Sequence, residues 1–73
     1  MIIRVQAQDL TPGMIVHEVD GDDYDLETHY AHTIAYVDVP SDIDGWVWIE
    51  VDCQGKYVRA YRLTRTEEIS VYS

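Results

Sequence analysis

Phenylalanine is absent from this chain, and cysteine occurs once, at Cys53. A single thiol excludes an internal disulfide. Secreted domains of this size usually depend on such staples, so a reducing compartment, the cytoplasm, is expected. Without Phe, the core must use Val, Ile and Leu together with rings that keep one polar atom wet. Six Tyr and two Trp supply those rings. Basic residues are also scarce: five against fourteen acidic ones, for a net charge of −9. Such a surface repels phosphate backbones and anionic lipid, which argues against nucleic acid and membrane as partners. It favours a protein partner, a basic one if charge decides. No apolar run approaches a membrane span. The opening Met1-Ile2-Ile3-Arg4-Val5 is charged by its fourth residue, so no secretory leader is expected.

The marks of catalysis are missing as well. No glycine-rich phosphate loop occurs, and Ser41, Ser70 and Ser73 lack the glycine frame of a nucleophile elbow. Cys53 stands beside Asp52, whose negative charge disfavours a thiolate. His29 and His32 are three apart, which on a strand sends them to opposite faces. Neither they nor His17 have Cys or carboxylate at a zinc-finger spacing, so they read as scattered surface histidines. Five of the eight residues from Asp20 to Glu27 are acidic, but Gly21 precedes most of them, unlike in a calcium loop. No enzyme, metal or cofactor is expected.

What remains is strand pattern. Seventy-three residues make one domain, with nothing left for a second lobe. Ile2 to Gln8 alternates, with Ile3, Val5 and Ala7 on one side, and predicts a half-buried strand. Asp9-Leu10-Thr11-Pro12-Gly13 reads as a turn in which Pro12 fixes φ and Gly13 supplies a left-handed conformation. Met14 to Val19 is a second strand, and Asp20 to Glu27 an extended acidic loop. A third strand centres on Thr33 to Val37, ended by Pro40-Ser41-Asp42-Ile43-Asp44-Gly45. Trp46 to Asp52 is the clearest strand, rich in β-branched and aromatic residues. It turns at Asp52-Cys53-Gln54-Gly55 and returns antiparallel from Lys56 to Leu63. Thr64 to Glu68 predicts one helical turn, and Ile69 to Tyr72 a last strand. Five to six short antiparallel strands predict an all-β fold, closed or nearly closed into a small barrel.

The stretch Val5-Gln6-Ala7-Gln8-Asp9-Leu10-Thr11-Pro12-Gly13-Met14-Ile15-Val16 resembles the opening of small SH3-like barrels, including the KOW-type domains of translation elongation factor P. With the tail Glu67-Glu68-Ile69-Ser70-Val71, it is also similar to small uncharacterised proteins of actinobacterial phages. The resemblance covers about a third of the chain. It implies an SH3-like barrel and an accessory, non-enzymatic role. The elongation-factor activity does not carry over. That family places a modified lysine on a basic hairpin tip, whereas here Lys56 stands alone at a tip of an acidic chain.

One hairpin draws attention as a site. With a turn closing at Asp52–Gly55, Val47, Ile49 and Val51 face the core opposite Val58 and Ala60. The other face then carries Trp46, Trp48 and Glu50 beside Tyr57, Arg59 and Tyr61. In that register Trp48 neighbours Arg59, and Trp46 neighbours Tyr61. A slip of one residue changes every pair. Trp, Tyr and Arg are the residues enriched at interface hot spots. Trp46, Trp48, Tyr57, Arg59 and Tyr61 are therefore the expected surface of a non-catalytic protein-binding module, open also to self-association. A second mini-core under the acidic loop or Tyr36 is the competing role for the same rings. The competing function is an acidic DNA mimic that inhibits a basic nucleic-acid-binding protein. Its carboxylates would be Asp20, Asp22, Asp23, Asp25, Glu27, Asp42 and Asp44.

Overall fold

The computed structural model describes residues 1–19, 21–23, 32–40, 45–53 and 55–73. The chain is all-β. Strand β1 spans Ile2–Gln6, β2 Ile15–Val19, β3 Asp22–Asp23 and β4 His32–Asp38. Strands β5 (Trp46–Cys53), β6 (Tyr57–Thr64) and β7 (Glu68–Tyr72) complete one antiparallel sheet. Its order is β1-β7-β2-β4-β5-β6, with the two-residue β3 paired to the end of β2. Closure into a barrel is not found: among the described residues the pairing path ends at β1 and at β6.

The two halves of the sheet, β1-β7-β2 and β4-β5-β6, meet at a narrow seam. Ile15 pairs with Thr33. Beside them, the Gly13 N–H donates to the Ile34 carbonyl and the Ile34 N–H to the Met14 carbonyl, both at 2.8 Å. Gly13 makes this approach at φ 96°, as second residue of the Pro12-Gly13 turn closed by Met14 N–H to the Thr11 carbonyl. Inward side chains of both halves form one apolar cluster, including Val16, Ile34, Val47, Ile49, Leu63, Ile69 and Val71. The sheet thus curls over a single core made without Phe.

Two bulges explain which residues reach that core. Between β2 and β7 the register shifts at His17, so Val16 and Val19 are both buried although three apart. Between β4 and β5 it shifts at Ala35. Ile34 therefore points inward opposite Val51, while Tyr36 faces outward opposite Glu50.

Several local expectations need correction. The first strand ends at Gln6, and Ala7–Asp9 form a 3-10 turn, with Ala7 N–H bonded to the Glu67 carbonyl at 2.8 Å. The expected helical turn before the last strand is instead a tight turn, in which Glu67 N–H bonds the Thr64 carbonyl at 3.2 Å. Three residues between long strands leave no room for a full helical turn. Asp22 and Asp23 belong to a strand, not to a free loop. His17 and His32 are partly buried, and the His17 ring meets Tyr72 edge-on at 5.3 Å; His29 lies outside the described residues. Cys53 is a core residue at the end of β5, its Sγ bonded to the Val51 carbonyl at 3.6 Å.

Candidate protein-interaction face

The β5–β6 hairpin decides where the aromatic residues stand. Cys53 pairs with Tyr57, which leaves three residues in the connection instead of two. Gly55 takes φ 71° there, and its N–H is held by Asp52 Oδ1 at 2.9 Å. The Lys56 N–H closes the turn onto the Cys53 carbonyl at 3.1 Å. The turn is one residue longer and lies further along the chain, so β6 is displaced by three residues from the expected pairing, an odd shift that inverts its faces. Val47 now lies opposite Leu63 and Ile49 opposite Tyr61, both pairs buried. Trp48 lies opposite Arg62, Glu50 opposite Ala60 and Asp52 opposite Val58.

The five expected site residues therefore do not share a face. Trp46 and Trp48 point outward, at 36% and 42% exposure. Tyr57, Arg59 and Tyr61 belong to the inward row. Tyr61 is in the core at 8% exposure, while Tyr57 is open at 59%; among the described residues its strand pairs with β5 alone. Val58 and Ala60, expected in the core, are exposed. Arg62, not the expected Arg59, lies opposite Trp48, and its guanidinium sits over the Trp46 ring, the diagonal neighbour across the strand pair, at 4.3 Å.

The outer face that results is coherent. Cross-strand rows run Asp38–Trp48–Arg62, Tyr36–Glu50–Ala60 and Thr33–Asp52–Val58, with Trp46 opposite Thr64. Tyr36, Trp46, Trp48 and Val58 are all exposed on it. Tyr36 stands in line with the tryptophans because of the Ala35 bulge, and it does not cover them, being itself half exposed. The indole N–H of Trp48 donates to Glu50 Oε2 at 2.9 Å, which holds the ring against its own strand. Sequence reasoning found both tryptophans but missed Tyr36, Val58 and Arg62. The alternation of β5 points to this face, whereas Val58 and Arg62 depend on the loop length.

Of the acidic residues named for mimicry, Asp20, Asp25, Glu27, Asp42 and Asp44 lie outside the described residues, and Asp22 and Asp23 form β3, paired with Val19 and Glu18. Asp38, Glu50 and Asp52 bring carboxylates to the aromatic face instead. Among the described residues, no group of three or more His, Cys, Asp or Glu side chains is gathered to hold a metal ion. Among the described residues, no helix is long and apolar enough to cross a membrane. The chain matches no protein-family model, no curated protein and no solved structure.

Proposed function

We propose that this chain is a non-catalytic protein-binding module whose outer β4-β5-β6 face receives a basic partner protein. One observation carries this reading. Trp46, Trp48, Tyr36 and Val58 are exposed together on the sheet face away from the core. The core is already complete on the other side, so folding gains little from these rings. Apolar groups gathered on a surface in this way mark interaction sites, and Trp and Tyr dominate the binding energy of known interfaces. Asp38, Glu50 and Asp52 among the rings suit Lys and Arg side chains, which gain from both carboxylate and ring face. The net charge of −9 speeds the approach of such a partner. An accessory, non-enzymatic role agrees with the resemblance of the first hairpin to small phage proteins.

The test is capture of host proteins on immobilised wild type and on Trp48→Ala, side by side. The partner is expected to be lost from the variant while its unfolding midpoint stays near wild type. Retention that ignores Trp48→Ala but falls steeply with salt would replace this reading with carboxylate mimicry of a polyanion.

A further inference from the structure

Strand β1 is one end of the sheet: among the described residues it pairs with β7 alone. Its Ile2 and Ile3, on opposite faces, are exposed at 49% and 40%. Neither belongs to the apolar core, which reaches β1 only through Val5. The strand contains no proline and no carboxylate, and its pairing with β7 has no bulge. Of the devices that keep an edge unpaired, it has only the single charge of Arg4.

The pairing with β7 fixes which backbone groups are left over. Ser73 N–H donates to the Met1 carbonyl and Ala7 N–H to the Glu67 carbonyl, both at 2.8 Å. Between these bonds the register is unbroken, with Ile2 opposite Tyr72 and Gln6 opposite Glu68. Hydrogen-bonded and non-hydrogen-bonded pairs alternate along an antiparallel ladder. The odd-numbered residues therefore bond to β7, and Ile2, Arg4 and Gln6 turn their N–H and C=O groups outward. Gln6 is also the N-cap of the 3-10 turn, so its carbonyl already accepts the first bond of that turn. Ile2 and Arg4 remain, each with a donor and an acceptor aimed away from the sheet.

We propose that β1 pairs with β1 of a second copy of this chain, antiparallel about a two-fold axis at Ile3. This goes beyond the aromatic-face reading and concerns a different surface. In that frame Ile2 lies opposite Arg4 of the second copy and Arg4 opposite its Ile2, so every outward group of these residues is bonded. The two Ile3 residues meet on the axis as a non-hydrogen-bonded pair, where Cα atoms approach to about 4.5 Å and side chains pack most closely. The methylene stem of each Arg4 covers the Ile2 it faces. A frame centred on Arg4 is disfavoured, because it sets two guanidinium groups opposite each other and needs the Gln6 carbonyl that the 3-10 turn holds. The contact is isologous and closes after two copies. The net charge of −9 opposes the approach of like copies, and salt screens that repulsion. Dimerisation therefore strengthens with salt, the reverse of capture of a basic partner. One short strand is small beside the roughly 1,200 Å² of a stable complex, so a Kd on the order of 0.1 mM is expected.

Sedimentation equilibrium of the full chain, at concentrations up to about 1 mM, tests the pairing. A monomer–dimer equilibrium is expected, at least about threefold tighter in about 0.5 M than in about 0.05 M NaCl. Ile3→Lys sets two ammonium groups on the axis and should weaken the dimer at least about tenfold. An equal mixture of Ile3→Lys and Ile3→Glu chains should restore it, which also shows that both variants fold. Trp48→Ala should change none of this. A chain that stays monomeric at about 1 mM in the higher salt, a dimer untouched by Ile3→Lys, a mixture that does not restore it, or a dimer lost on Trp48→Ala each overturns the proposal. Failure here leaves the aromatic-face reading standing, since capture on Trp48→Ala tests that surface by itself.

Discussion

The placement of Tyr61 gives the sharpest test of the fold. In the observed register Tyr61 is a core residue opposite Ile49, and Val58 is open to solvent at 54%. With a two-residue turn the two would exchange roles. Truncating a buried large aromatic costs about 3–5 kcal/mol through lost burial and an unfilled cavity. A domain of this length has a total stability of about 4–11 kcal/mol, so Tyr61→Ala should leave the chain barely folded. Each kcal/mol moves the midpoint of so small a domain by about 4–8 °C. A drop of at least about 12 °C is expected. Val58→Ala removes two exposed methyl groups and should stay within about 0.5 kcal/mol of wild type. The slipped register reverses this order. Val58→Ala would then remove about 1.6 kcal/mol of burial, before any cavity cost. Tyr61→Ala would act like a surface change. Far-UV circular dichroism melts, with urea titrations at constant m-value, measure both variants directly. If Val58→Ala is the more damaging of the two, the pairing of β5 with β6 is wrong, and with it the composition of the outer face.

Two further outcomes follow from the hairpin. Cys53 is buried at the end of β5, so its thiol should react with an aromatic disulfide reagent only as fast as the domain opens, and at full rate in urea. Fast labelling of the native chain would show that β5 ends earlier. Gly55→Ala forces a side chain onto φ 71° and should cost about 1–2 kcal/mol in the same melts, although a Cβ there would meet open space. A neutral result would mean that the turn does not need the left-handed conformation.

Local chemistry determined much of this protein. The scarcity of Cys and Phe, the β-branched runs and the Pro12-Gly13 turn specify short strands around an aliphatic core. The alternation of Trp46 to Cys53 also shows which side of β5 is buried, because Val47, Ile49 and Val51 contrast sharply with Trp48, Glu50 and Asp52. The neighbouring strand offers no such contrast. Tyr57, Arg59, Tyr61 and Leu63 are hardly more apolar as a set than Val58, Ala60, Arg62 and Thr64, so either row could face the core. Only the assembled sheet chose between them, through a turn after Cys53 that displaces β6 by three residues from the expected pairing. The same holds for Tyr36 and for Val19, each turned by a bulge at Ala35 or His17 that local propensity does not signal. The physical reason is common to all three. Strand faces alternate with a period of two, so an odd shift in pairing, by one residue at each bulge and by three at the hairpin, moves every following side chain to the opposite face.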